Sequence, residues 1–145
     1  MIGLLQRVTH SSVTVNGDQI ASIKTGLLVL VGVEQNDNEL KARCLLEKII
    51  AYRIFPDNEN KMNLSLMDIK GDLLLVPQFT LPADTRKGLR PSFSNAAPPA
   101  QGKQLFEYLV SEAQAQDLCV KSGMFGADMQ VSLTNDGPVT FWLQI

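Results

Sequence analysis

The chain has 145 residues, of which 45% are hydrophobic and 19% charged, with a formal net charge of −2. This is an ordinary globular mixture at the length of one domain, so disorder is excluded and a single domain over residues 1–145 is expected. The negative balance excludes a broad basic face for duplex nucleic acid, and DNA is not expected as a partner.

The opening residues, Met1-Ile2-Gly3-Leu4-Leu5-Gln6-Arg7, carry no basic segment leading an apolar run. No signal peptide is read there, and a cytoplasmic address is expected. Val13 and Val15 alternate with Ser12 and Thr14, and Asn16-Gly17 then offers a tight turn into Ile20 and Ile23, which predicts a hairpin. Leu27 to Val33 is continuously apolar. It is too short for a membrane span of ~20 residues and reads as a strand covered on both faces.

Asn36-Asp37-Asn38-Glu39 fits a capping box, with Asn36 as the cap and Glu39 reaching back. Ala42, Leu45, Leu46, Ile49 and Ile50 follow at helical spacing, and Pro56-Asp57-Asn58 stops the helix. The run Asp72 to Val76 ends at Pro77, which has no backbone N–H, so Gln78-Phe79-Thr80 falls at a strand end or edge. Pro82 to Pro99 holds four prolines and one glycine without periodicity, and reads as a long functional loop. A second helix starts near Pro98-Pro99 and buries Gly102, Leu105, Phe106, Leu109, Val110 and Ala113. Two alternating strands close the sequence, Met129 to Thr134 and Val139 to Ile145, with Asn135-Asp136-Gly137-Pro138 as the turn between them. The expected fold is α+β: a curved, largely antiparallel, barrel-like sheet covered by two main helices.

Ordinary catalytic motifs are absent: no phosphate-binding glycine loop, no nucleophile elbow, no paired His at metal spacing. His10 is the only histidine, and in its polar setting it reads as structural or solvated. Cys44 and Cys119 cannot build a disulfide framework, and with one His they cannot fill a zinc site, so neither metal nor cofactor is expected. Arg86-Lys87-Gly88-Leu89-Arg90 reads either as a solvated loop or as a phosphate-gripping patch in which Gly88 lets backbone amides approach an anion. Thr80 reads either as a nucleophile or as a turn hydroxyl.

Two segments, Gln78-Phe79-Thr80-Leu81 and Asn135-Asp136-Gly137-Pro138-Val139-Thr140, resemble the signature motifs of the D-aminoacyl-tRNA deacylases, also called D-tyrosyl-tRNA(Tyr) deacylases. The stretches Gln6-Arg7-Val8, Gly26 to Val33, Asp84 to Phe93 and Gly123 to Met129 are similar to that family as well. The resemblance departs at position 77, where Pro stands in place of the family's Ser.

The resemblance implies an enzyme that hydrolyses the ester of D-aminoacyl-tRNA, with mischarged glycyl-tRNA as a further candidate substrate. It implies a homodimer in which a cis Gly137-Pro138 peptide of one copy enters the pocket of the other and rejects L-residues. Gln78, Phe79 and Thr80 are then the catalytic segment, Phe125 and Met129 wall the terminal adenosine, and Arg86, Lys87 and Arg90 contact tRNA phosphates. Trp142 is expected near the dimer contact. Two accounts of the chemistry follow, one with Thr80 as nucleophile or hydrogen-bond partner at the scissile carbonyl. In the other, favoured for want of a base beside Thr80, the ribose 2′-hydroxyl and backbone N–H groups near Phe79 and Thr80 act. The alternatives are a non-catalytic RNA-binding module for the tRNA acceptor end and a hydrolase of small D-amino esters.

Overall fold

The structure, a computed structural model, describes every residue except Lys87. Its axis is β1 (Ile2–Val15), a 14-residue strand long enough to serve several partners. The Asn16-Gly17 turn folds β2 (Asp18–Ile23) back onto the C-terminal half of β1, as the turn chemistry predicts. β3 (Gly26–Gly32) pairs antiparallel with the N-terminal half of β1 on the same side. Its residues are buried in two different clusters: Leu27, Val29 and Val31 in one, Leu28 in the other. That is why the run carries no polar alternation.

Helix α1 (Glu39–Ala51) buries Ala42, Leu45, Leu46 and Ile49. Its cap is Asn38, whose side chain accepts from the Lys41 amide, so the expected cap at Asn36 lies two residues too early. The helix also ends at Tyr52, before Pro56, and the chain turns into the small hairpin β4 (Phe55–Pro56) and β5 (Met62–Leu64). A third helix, the short α2 (Leu66–Ile69), starts with a capping box between Ser65 and Asp68.

β6 (Asp72–Pro77) runs parallel to β3, and β7 (Val120–Ser122) runs parallel to β6. Helix α3 (Pro99–Gln114) makes the crossover between them, with proline in its first turn as expected. β8 (Gln130–Gln144) lies antiparallel along the other side of β1. Among the described residues the sheet has six strands, and β2 comes round to touch β6 and β7, so it is nearly closed. One core lies inside this curve, around Val8, Val13, Leu28 and Leu74; the other lies between the sheet and the two long helices. Leu45, Ile49 and Leu109 are fully buried there, and each contributes about 1.5–3 kcal/mol relative to exposure. Among the described residues no helix is long and apolar enough to cross a membrane.

The last segment corrects the sequence reading. Asn135 to Pro138 is no hairpin turn, because β8 continues through it without reversing. Gln6 of β1 opposes Thr140 and Val8 opposes Asn135, so two steps along β1 answer five along β8. The three surplus residues bulge out of the strand. Turn-forming residues make either outcome, and the long free side of β1 selects the bulge.

Candidate active site

The β3–β6 ladder carries the chain to the first motif. Val31 stands opposite Pro77, and the Gln78 amide donates to the Val31 carbonyl at 2.8 Å. The backbone then turns sharply, with Leu81 N–H donating to Gln78 O at 3.3 Å and Ala83 N–H to Thr80 O at 3.1 Å. The close pass over β3 needs Gly32, since a Cβ there would lie 2.9 Å from Leu81 Cβ. Between these bonds, the amides of Phe79 and Thr80 have no acceptor among the described residues. The Thr80 hydroxyl lies 2.5 Å from Gln78 Nε2, an amide donor that cannot take its proton.

Beside this turn opens a cavity of about 440 Å³, a size suited to a small ligand. Its lining includes Pro77, Gln78, Phe79, Pro99, Phe125 and Met129. Four residues expected at the site therefore converge on one cleft. Thr80 sits at its edge, exposed and not in the lining. Phe125 is seated by α3, where Gly102 leaves room for its ring, and it packs on Phe106 with centroids 6.4 Å apart. Met129 is held through its sulfur, which accepts from the Met124 amide at 3.4 Å. Phe79 is 65% exposed and rests on Phe93, with ring centroids 5.4 Å apart.

Gly137 and Pro138 line no part of this cleft in the same chain. Both are exposed on the β8 bulge, and their peptide bond is cis. Gly137 has φ 131°, where a side chain would strain the backbone, and an added Cβ would lie 2.8 Å from Val139 Cγ2. Asn135 clasps the base of the bulge: its Oδ1 accepts from Val139 N–H at 2.6 Å and its Nδ2 donates to Thr140 Oγ1 at 2.9 Å.

Sequence reasoning missed the brace beneath the bulge. Arg7 is buried on β1; its Nη1 donates to Ile54 O at 2.7 Å and its Nε to Asp136 O at 3.1 Å. The same Nε lies 3.2 Å from Asp136 Oδ2. The signal was available: an arginine in an apolar strand is buried only when its guanidinium is paired.

The basic cluster divides. Arg86 forks onto Asp84 through two bonds of 2.9 and 2.7 Å, although it is 83% exposed. Hydrogen bonds from the Arg86 side chain and amide hold the Asp84 carboxyl well below the usual carboxylate range. The carboxylate in turn raises Arg86. Arg90 is exposed and has no carboxylate partner among the described residues; Lys87 lies outside them. His10 is exposed between the hydroxyls of Thr9 and Thr134, with no acid bonded to it among the described residues.

Comparison with known proteins identifies the family. Residues 4–144 match the family model described as D-Tyr-tRNA(Tyr) deacylase. A D-aminoacyl-tRNA deacylase of Cronobacter sakazakii is 58% identical over 145 residues, and one of Pseudomonas putida is 61% identical, each with both chains fully covered. Among solved structures, the c-Myc DNA Unwinding Element Binding Protein superposes with a TM-score of 0.95 at 37% identity, covering 100% of this chain and 99% of its own. A probable eukaryotic D-amino acid tRNA deacylase shares the fold, with a TM-score of 0.84 at 18% identity, over 99% of this chain and 98% of its own. A full-length family match and relatives near 60% identity lead to one conclusion: the chain belongs to the D-aminoacyl-tRNA deacylase family, a family of hydrolases.

Proposed function

We propose that the cleft beside Gln78–Thr80 receives the 3′-terminal aminoacyl-adenosine of a D-aminoacyl-tRNA and that water cuts the ester there, releasing tRNA and the free D-amino acid. The observation that carries this reading is the pair of unbonded amides at Phe79 and Thr80, next to a cavity of ligand size. An aminoacyl ester is already activated, so little acid–base machinery is required. As water adds to the ester carbonyl, its oxygen becomes an anion, and one backbone N–H aimed at it is worth roughly 10²–10³ in rate. The ribose 2′-hydroxyl helps activate the water. Thr80 has a positioning part only, because its one side-chain partner is a donor. Phe125 and Met129 supply the apolar walls against which an unstacked adenine lies. No cofactor takes part.

Selection needs a second element. Gly137 and Pro138 are exposed, lie outside their own chain's cleft and are braced by Arg7 and Asn135. In a homodimer, the bulge of one copy enters the cleft of the other and fills the space an L side chain would need. Trp142, 50% exposed on the same strand, lies at the contact between copies. Glycyl-tRNA, with no side chain to exclude, is a second substrate. Arg90 and Lys87 meet phosphate, while Arg86 has part of its charge committed to Asp84. Charged tRNA places the enzyme in the cytoplasm. A net charge of −2 argues against a broad grip on DNA, whatever the name of the structural relative. The test is turnover by the purified chain: D-tyrosyl-tRNA is cleaved and L-tyrosyl-tRNA spared. Equal rates refute the reading, and an ester left intact in both would make the chain a binding module.

A further inference from the structure

A second cavity, of about 400 Å³, opens beyond Phe125. Phe125 lines both this cavity and the cleft, and among the described residues no other is common to the two. The walls of the second cavity are partly apolar: Ile20 is 40% exposed and Met124 50% exposed, both large side chains that the chain leaves uncovered. Along its other side, α3 presents Glu107, Ser111 and Gln114, at helical spacings of four and three. A carboxylate, a hydroxyl and an amide therefore face one slot in a row.

A slot of mixed lining, with apolar side chains and hydrogen-bonding groups along α3, suits a flat heteroaromatic ring with a polar edge. We propose that it takes the base of the penultimate nucleotide, the cytosine that precedes the terminal adenosine in the CCA end of tRNA. The proposal rests on the reading of the first cleft as the terminal-adenosine pocket. Successive unstacked bases of a single strand lodge against aromatic side chains, and Phe125 stands between the two cavities as that ring. Cytosine offers an exocyclic amine, and a carboxylate is its natural acceptor. Glu107 supplies it: the carboxylate is 62% exposed, and the contact with Lys103, at 3.8 Å, is too long to occupy an oxygen as a hydrogen bond. Ser111 and Gln114 remain for the ring nitrogen and carbonyl. Uracil would present a carbonyl oxygen to Glu107 instead of the amine, leaving two acceptors face to face.

The experiment compares deacylation of D-tyrosyl-tRNA ending in CCA with the same tRNA ending in CUA. The wild-type chain should lose roughly tenfold to a hundredfold in kcat/KM on the uridine substrate. Glu107→Gln, on the exposed face of α3, can donate as well as accept, and should bring the two substrates within about threefold of each other. Equal rates on both substrates with the wild type, or an unchanged preference in Glu107→Gln, would overturn the proposal while leaving the terminal-adenosine reading intact. Failure to cleave even the CCA substrate would remove both.

Discussion

The turn after β6 and the bulge in β8 are both irregular backbone at proline-bearing sequence, yet they treat their polar groups in opposite ways. The turn leaves the amides of Phe79 and Thr80 unbonded beside a cavity. The bulge is tied down at its base: Arg7 holds the Asp136 carbonyl and carboxylate, and Asn135 holds Val139 and Thr140. What the bulge then presents is Gly137 and Pro138, two residues without a polar side chain. Free donors beside a cavity can stabilise developing charge, whereas a bulge braced at its base holds its exposed tip at a fixed place. On the proposed reading, the turn serves catalysis and the bulge serves selection.

The comparison breaks most severely if Gly137→Ala is tolerated. Its new Cβ must be held at φ 131° against Val139, costing about 1–3 kcal/mol of stability. Pushed off its seat, the bulge should intrude on the space the D-residue occupies in the partner's cleft, and kcat/KM on D-tyrosyl-tRNA should fall by about a hundredfold. Arg7→Ala comes next, since it strands the Ile54 carbonyl and releases Asp136; a loss of about 1–3 kcal/mol is expected in denaturant titration. Arg7→Lys should not restore it, because an ammonium lacks the guanidinium fork that reaches both partners.

A smaller effect sharpens the role of the basic loop. Asp84→Asn frees the Arg86 guanidinium, and if that loop meets phosphate, the log–log salt slope of tRNA binding should steepen by about 0.7. The pH dependence has a definite sign. The Asp84 pKa is depressed in the folded chain, so the pairing contributes above the ordinary carboxylate pKa and is lost as pH falls through the depressed value. The wild-type salt slope should therefore hold steady from pH 8 down to about pH 5. The smallest effect belongs to Thr80→Ala, expected to keep kcat within about threefold of wild type; a thousandfold loss would instead make Thr80 the nucleophile.

Much of the fold was legible in the residues. The Asn16-Gly17 turn, the two-sided burial of Leu27 to Val33 and the proline-led start of α3 follow from local chemistry. The parallel pairing of β3 with β6 and of β6 with β7 was not, because a short apolar run carries no direction. The bulge was misread for a different reason. Asn-Asp-Gly-Pro suits a hairpin locally, and only the presence of β1 along its whole length turns it into a bulge. Around the cleft, Gln78, Phe79, Phe125 and Met129 were named in advance and converge. Arg7 was overlooked as a brace, since its partners, Ile54 and Asp136, stand 47 and 129 residues away.

The proposed division of labour between two copies is tested most directly by mixing. Ala127→Trp fills the cleft of one chain while leaving its bulge intact; Gly137→Ala spoils the bulge and leaves the cleft. Each alone should be nearly inactive on D-tyrosyl-tRNA. After subunit exchange, a mixed dimer holds one sound cleft facing one sound bulge, and about a quarter of the wild-type rate should return. A mixture no more active than its two parents would contradict a site shared between copies.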